Sequence, residues 1–388
     1  LRSMGFADSK ATARASYLLG RAGLVPPGGA ARLTNAVDEL LFGMIQTAAN
    51  CDAFRPRVYW LGCGAHTWLG AQVPGGRWAY DNPDTIYRTV PIDPASHYII
   101  RGRLLGSGTT DLAFSLIDDL ITQTTVDYVD GLTLRDQANP TYTVTVGPEP
   151  ANGRTNHLQT TNRTVQLFIR TTIADWENEL PDALEVERTD PGSLPGPPTV
   201  GEIAQQAKIL MMRGAPIFGP ALLGLKTMAK LPNTMPKPGT TPGALVTQAN
   251  SFGYFRLCDD EALVVRLDPG GAKYVTLPVT DPWMVGIDPG GTQSSLNNAQ
   301  ALRDPDGSYT FIVSKRDPGF QNWVSTAGAS EGTIMARWQR LSPTGKPAIE
   351  AKVVPLRRLS AELPTGTPTV TDADRLLQLI RRSRAYNS

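Results

Sequence analysis

The run DNPDTIYR, at positions 81–88, places the chain's densest group of acid–base side chains within eight residues. A carboxyl group buried among aromatic side chains has a raised pKa that suits general-acid use, whereas one beside an arginine keeps its charge. Asp84 is therefore a candidate general acid or base, and Tyr87 and Arg88 are candidates to polarise a substrate oxygen. Asn82 is a candidate substrate-binding residue. The alternative is an Asx turn capped by Asp81, followed by a structural Asp84–Arg88 pair.

A second candidate group is WLGCGAHTWLG, at positions 60–70. Here His66 lies between Trp60 and Trp68 in a glycine-rich turn. The two indoles could form the apolar walls of a pocket in which His66 acts as a base. The alternative is a packed turn with a hydrogen-bonded histidine.

A third group, TQSSLNNAQ at positions 292–300, is dense in neutral side chains that form hydrogen bonds. Gln293, Ser294, Ser295 and Asn297 could bind a hydroxylated or carboxylated ligand. Equally, such side chains can satisfy the backbone of an ordered loop.

Several classes of chemistry have no support in the sequence. The three histidines are scattered without the spacing of a zinc site, and we predict no metal and no cofactor. There is no GxSxG, Walker motif or GxGxxG after a strand. The net charge of +1 gives no electrostatic reason for binding to nucleic acid or to an anionic membrane. No uninterrupted apolar run reaches the about 18 residues of a membrane span.

The elements that must position these residues are mostly β. With 37 glycines and 32 prolines in 388 residues, turns are frequent, and short alternating strands such as TYTVTVG dominate from residue 84 onward. In a strand at DTIYR, Tyr87 and Arg88 would lie on opposite faces. Helices are predicted near residues 33–50, after Thr199 with Glu202 in a capping box, and at 371–386. In the last helix Leu376, Leu377 and Ile380 form an apolar stripe.

Two segments share one pattern of strand, turn, asparagine and arginine-bearing strand, which predicts a duplicated β unit. We interpret the repeated residues as builders of the fold, with the functional site in what is not repeated. The alternative is that any two antiparallel sandwiches share turn chemistry. The matched positions are Asn156 and Asn322, Tyr142 and Tyr309, Arg170 and Arg337, and Tyr98 and Tyr274.

The predicted fold is mainly β: two tandem antiparallel jelly-roll-like β-sandwiches with an inserted helical segment and N- and C-terminal helices. The predicted units are an N-terminal helical segment (1–54), a first sandwich (55–180), a linker and helical insert (181–243), a second sandwich (244–360) and a C-terminal helix (361–388).

Parts of the chain resemble known domains. YVTLPVTDPWMVGIDPGGTQSSLNNAQ, DGSYTFIVSKRDPGFQNWVSTAG and GTIMARW, within residues 274–341, resemble domain of unknown function 1214. YDNPDTIYRTVPID, at 80–93, is similar to the Asn-Asp-Thr-x-Tyr segment of its usual partner, domain of unknown function 1254. The resemblance implies tandem sandwiches of jelly-roll type and supplies no reaction.

Two functional hypotheses follow. The first is a cofactor-independent enzyme of hydrolase or lyase type, acting on a small, partly apolar, hydroxylated organic substrate. The second is a non-catalytic β-sandwich protein that binds a carbohydrate or lipid. The expected partner is a small molecule, and the sequence leaves homo-oligomers and a pairing of Cys51 with Cys63 open. Without a visible apolar leader we expect a cytoplasmic protein, although a cleaved export signal stays open.

Overall fold

The computed structural model describes residues 5–136, 138–191 and 195–387, and it is mainly β, with helices at both ends and in the middle. This is the predicted fold class. The helices are α1 (Ala7–Gly20), α2 (Gly29–Ala49), α3 (Val200–Pro216), α4 (Leu359–Glu362) and α5 (Asp372–Asn387), with 3₁₀ turns at Gly131–Leu134 and Leu356–Arg358.

The first sandwich consists of two sheets, with strand orders β1-β4-β10-β6-β7 and β11-β5-β8-β9, and a separate hairpin, β2-β3. Because β11 pairs with β5, this sandwich continues past residue 180, where the sequence placed its end. The strands are β1 (Tyr59–Leu61), β2 (His66–Trp68), β3 (Ala71–Val73), β4 (Thr85–Pro91), β5 (Tyr98–Arg103), β6 (Asp111–Ile117), β7 (Thr125–Asp130), β8 (Thr141–Gly147), β9 (His157–Gln159), β10 (Gln166–Thr172) and β11 (Ala183–Arg188).

The second sandwich has strand orders β12-β18-β14-β15 and β17-β16-β13-β19. Its interior is a continuous apolar cluster in which Trp338, Phe255 and Phe311 are buried. The strands are β12 (Ala249–Arg256), β13 (Glu261–Asp268), β14 (Tyr274–Thr280), β15 (Ser295–Asn297), β16 (Tyr309–Ser314), β17 (Trp323–Ser325), β18 (Glu331–Gln339) and β19 (Ala348–Pro355).

The two sandwiches share one topology, because β4 to β11 pair with one another in the same order as β12 to β19. Even the parallel pairing of β8 with β9 recurs between β16 and β17. The duplication predicted from the sequence is therefore visible in the strand order. One matched pair is wrong: Tyr98 lies on β5, which corresponds to β13, whereas Tyr274 lies on β14, which corresponds to β6.

The repeated asparagines have a common structural task. Asn156 Nδ2 donates to Thr143 O at 2.9 Å, and Asn322 Nδ2 donates to Thr310 O at 3.1 Å. In each sandwich the asparagine side chain thus ties the start of the short parallel strand to its neighbour.

The central helix begins at the predicted capping box, in which the Thr199 side chain accepts from Glu202 N and the Glu202 carboxylate accepts from Thr199 N. Pro216 and Pro220 remove backbone donors, and the helix continues past Pro216 as a π-helical segment, Ile217–Met228. Val200–Met228 is the one described helix long and apolar enough to span a bilayer, and one side of it packs here on α1 and α2.

The C-terminal helix, α5, differs from the prediction. Leu376 and Leu377 are more than half exposed, and the buried residues are Arg375 and Arg382. The arginines are buried because their guanidinium groups bind the second sandwich: Arg375 binds the Asp317 carboxylate, and Arg382 donates to Pro289 O and to a serine hydroxyl. The apolar stripe consequently faces solvent. All three cysteines are free and exposed.

Candidate functional site

A cavity of about 420 Å³ lies where the two sandwiches and the helical layer meet. Strands β4 and β10 contribute from the first sandwich, and β12 and β18 contribute from the second. The π-helical segment forms a further wall. The apolar residues that line the cavity include Leu61, Trp78, Ile121, Phe168, Phe218, Leu222, Leu245, Phe252 and Met335.

The most unusual side chains in the cavity wall are two arginines at repeat-equivalent positions, Arg170 on β10 and Arg337 on β18. Arg170 Nη2 donates to Gly243 O at 2.7 Å and to Gln123 Oε1 at 3.3 Å. Its Nη1 has no hydrogen-bond partner among the described residues. Arg337 donates to two backbone carbonyls, Met335 O at 3.1 Å and Tyr80 O.

Both guanidinium groups are buried, with Arg170 6% and Arg337 4% exposed. Their hydrogen-bond partners are neutral, and no carboxylate in the described part of the chain forms an ion pair with either. Burial lowers the pKa of Arg170 to about 10, and the nearby Tyr87 phenol opposes that shift. Arg135 differs from these two arginines, because its buried guanidinium forms an ion pair with the Asp182 carboxylate at 2.7 Å.

Tyr87 also faces the cavity, and its hydroxyl accepts from Asn82 N at 3.0 Å. Among the described residues its own proton has no acceptor, so it can be donated to a ligand. Burial raises the pKa of the phenol, and the charges of Arg337 and Arg170 oppose that rise. The two guanidinium groups therefore act electrostatically on the same hydroxyl.

Asp81 is the one acidic residue among the described residues that line the cavity. Its Oδ1 accepts from Gly286 N at 2.7 Å. Burial raises its pKa to about 6, against the opposing charges of Arg77 and, more weakly, Arg337. A carboxyl group with such a pKa can gain and lose a proton near neutral pH.

A chain of neutral hydrogen bonds connects the sandwiches beside the cavity. Its members are hydroxyls and amides, so the chain can donate to or accept from a polar group of a ligand. It runs from Asn82 to Thr85 (2.9 Å), Thr172 (3.2 Å), Gln339 (2.9 Å), Gln248 (2.8 Å) and Asn250 (2.6 Å).

Of the site residues predicted from sequence, the structure brings Asn82 and Tyr87 into the cavity wall. Asp84 lies outside it. Asp84 Oδ2 accepts from Tyr274 OH at 2.6 Å, and Oδ1 accepts from Trp176 Nε1 at 2.9 Å. Both Asp84 oxygens accept hydrogen bonds inside the protein, and the carboxyl group that lines the cavity among the described residues is instead that of Asp81.

Arg88 is separated from Tyr87 because successive residues of β4 point to opposite faces of the sheet. Arg88 Nη1 donates to Asp182 O at 2.6 Å, and Nη2 donates to Thr171 Oγ1 at 2.8 Å. The two side chains therefore do not reach one substrate oxygen, and the predicted joint role of Tyr87 and Arg88 is not supported by their positions.

His66, Trp60 and Trp68 lie away from the cavity lining. His66 and Trp68 belong to the exposed β2-β3 hairpin, where His66 Nδ1 is 2.9 Å from Gly64 O. Trp60 is 46% and Trp68 65% exposed. The two indoles do not form the walls of one pocket, because Trp60 lies on β1, an edge strand of the five-stranded sheet, whereas Trp68 lies on the exposed two-stranded hairpin.

The third predicted group is buried and binds the protein itself. Gln293 Nε2 donates to Trp323 O at 2.5 Å, and Asn297 Nδ2 donates to Ala174 O at 3.0 Å. Ser294 donates to Ile287 O, and Ser295 accepts from an arginine of α5. Between a ligand-binding group and an ordered segment, the contacts favour the ordered segment, because these side chains bind neighbouring elements of the protein.

Arg170 and Arg337 are cavity residues that the repeat in the sequence predicts only as builders of the fold. Strand β10 is buried along its whole length, and β18 nearly so. A single arginine within such a strand is the available signal, because a charge is rarely buried without a purpose or a partner.

No protein-family model matches the chain, and no curated protein matches it in sequence. Among solved structures, the chain is similar to an uncharacterised protein from Burkholderia cenocepacia, with a TM-score of 0.76 and 21% identity over 91% of this chain and 96% of the other. The VPA0106 protein from Vibrio parahaemolyticus matches with a TM-score of 0.44 and 12% identity over 82% and 99% of the two chains. The first likeness concerns the fold alone, and the second supports no inference.

Proposed function

We propose that the chain binds a small organic acid in the cavity between the sandwiches, with the acid's carboxylate on Arg170 and Arg337. The observation that carries the proposal is that two buried guanidinium groups, from equivalent strands, line one cavity and form no ion pair with a carboxylate of the described chain.

An unpaired buried charge destabilises a folded protein, because the charge loses its hydration and gains no counter-charge. A bound carboxylate would supply that counter-charge and an acceptor for Arg170 Nη1, which otherwise has none in the described residues. Charge-assisted hydrogen bonds from guanidinium to carboxylate are among the strongest in proteins, and their forked geometry is specific.

The rest of the cavity favours a ligand with an apolar body. Trp78 and Phe218 have ring centroids 4.9 Å apart, and Phe168 and Phe252 add further aromatic surface. A volume of about 420 Å³ suits a small organic molecule. The Tyr87 hydroxyl and the neighbouring amides would bind a hydroxyl or carbonyl group, which agrees with the partly apolar, hydroxylated ligand expected from the sequence.

A second candidate function is hydrolase or lyase chemistry on the same ligand. It is supported by the presence of Asp81 and Tyr87 in one cavity wall, a carboxyl group able to exchange a proton and a phenol with a proton to donate. In this form of the proposal Asp81 takes the acid–base role first assigned to Asp84.

The test of binding is a screen of arylalkanoic, terpenoid and medium-chain fatty acids, each beside its own primary amide, by thermal shift and calorimetry. We expect the acids to stabilise the protein and the amides to have little effect. Arg170→Met and Arg337→Met should each weaken binding at least tenfold, while Arg154→Met, at an exposed position, should bind as the wild type does. Equal binding of acids and amides, or wild-type affinity in both cavity variants, would contradict the proposal.

Catalysis is tested on any acid that binds. Wild type and Asp81→Asn are incubated with it, and consumption is followed by NMR. If the variant still binds the acid but no longer consumes it, the protein is an enzyme that uses Asp81. If the wild type does not consume the acid, the protein only binds it.

A further inference from the structure

An exposed apolar stripe runs along the outer face of α3 and its π-helical continuation. Its large members are Ile209, Met212, Ile217 and Leu225, with exposed fractions of 41%, 48%, 38% and 76%. The intervals between them are three, five and eight residues, and all four side chains lie on the solvent-exposed side of the helix. The opposite side of the same helix is buried against α1 and α2 through residues such as Leu210.

The stripe leads directly to the cavity. Ile217 and Ala221 are exposed to solvent and also line the cavity, so they belong to its rim. Thr122 and Pro242 are the other exposed lining residues and complete that rim. An apolar surface that continues into a ligand cavity gives an amphipathic molecule a path on which its apolar part need not enter water.

Basic side chains accompany the stripe. Between residues 200 and 230 the chain has four basic residues and one acidic residue, Glu202, although the whole chain has a net charge of only +1. The overall charge therefore conceals a local positive region on this helix. The four basic residues are Lys208, Arg213, Lys226 and Lys230. Arg213 forms an ion pair with Asp119. Lys226 lines the cavity with its ammonium over the Phe252 ring, whereas none of the three lysines forms an ion pair with a described carboxylate.

We propose that this stripe docks on an anionic phospholipid bilayer, with the helix lying flat and the cavity mouth against the lipid. Apolar side chains flanked by lysine and arginine are the features of helices that lie in the membrane interface and bind acidic headgroups. The docking surface stands on its own observations; that an organic acid passes from the lipid into the cavity rests on the proposed function.

The test is co-sedimentation with vesicles of phosphatidylcholine alone or with phosphatidylglycerol. The stripe variant is Met212→Glu with Leu225→Glu, two residues outside the cavity lining. Its matched control is Leu376→Glu with Leu377→Glu on α5, where both leucines are also more than half exposed. We expect wild type and control to bind the acidic vesicles, less at high salt, and the stripe variant to bind at least tenfold more weakly.

Binding of a soluble short-chain acid, measured by calorimetry, should be the same in all three proteins, so a failure of the cavity proposal would be seen separately. Three results would overturn the docking surface: no binding of wild type to acidic vesicles, equal loss in the stripe and control variants, or light scattering that shows a wild-type dimer dissociated by the stripe substitutions. The last result would assign the stripe to a second copy of the chain.

Discussion

Thr172 and Gln339 occupy equivalent positions on β10 and β18, and a hydrogen bond of 2.9 Å joins Thr172 Oγ1 to Gln339 Oε1. Direct contact between equivalent residues is characteristic of an interface close to a twofold relation. Arg170 and Arg337 lie two residues before this contact on their respective strands, which is why both reach one cavity. The duplication thus builds the candidate site as well as the fold.

Replacing either cavity arginine should have only a small effect on stability. Arg170→Met and Arg337→Met each remove a buried charge that has no ion-pair partner in the described chain, and we expect the free energy of unfolding to fall by no more than about 1 kcal/mol. Arg135→Met should cost about 3–5 kcal/mol, because it leaves the buried Asp182 carboxylate without its ion pair. Urea denaturation of the ligand-free proteins measures all three. A large loss in both cavity variants would assign those arginines to the fold alone.

Affinity for a carboxylate ligand should fall as pH rises through about 6, because Asp81 then ionises beside an acid that is already charged. We expect a decrease of about threefold to tenfold between about pH 5.5 and about pH 7.5, equal to about 1 kcal/mol. The same raised pKa makes the folded state bind the proton more tightly than the unfolded chain. Its contribution to stability is therefore full below the unfolded pKa of about 4 and is lost as pH rises through about 6.

Asp81→Asn is the control for this pH dependence, because its amide oxygen can still accept from Gly286 N. Calorimetry across the pH range should show a flatter profile for the variant. An equally steep profile would mean that another group is responsible.

The crossing of α1 with the π-helical segment should not tolerate a methyl group. A Cβ added at Gly219 would lie 2.2 Å from Ser16 O, a backbone atom that cannot move aside alone. Gly219→Ala should cost about 1–3 kcal/mol of unfolding free energy and weaken ligand binding, since this segment is a cavity wall. Gly201→Ala, in the same helix with 3.9 Å to the nearest neighbour, should be neutral or stabilise by up to about 1 kcal/mol. Equal unfolding free energies would show that the crossing relaxes.

The repeated asparagines should differ in their importance for stability. Asn322 is buried at φ 58° and binds Leu302 O, Leu302 N and Thr310 O, so Asn322→Ala should cost about 2–4 kcal/mol. The Asn156 side chain binds only Thr143 among the described residues and is less buried, so Asn156→Ala should cost about 0.5–1.5 kcal/mol. Chemical denaturation of both variants decides the order, and a larger cost at Asn156 would contradict it.

The sequence by itself determined the local elements. Alternation predicted β8 to the residue, the Thr199–Glu202 spacing predicted the start of α3, and the period of two placed Tyr87 and Arg88 on opposite faces of β4. The repeated asparagines and arginines predicted a duplicated unit. These features depend on neighbours within a few residues, and backbone geometry fixes such relations without help from the rest of the chain.

Only the tertiary structure decided which of these faces enclose a cavity. Asp84 and Asp81 are three residues apart. Asp84 nevertheless accepts a hydrogen bond from Tyr274 on β14, whereas Asp81 lines the cavity. In α5 the burial of Arg375 turned the predicted apolar stripe toward solvent. Arg170 and Arg337 line one cavity because the two sandwiches pack with equivalent strands in contact. Packing between segments far apart in the sequence cannot be predicted from a local pattern.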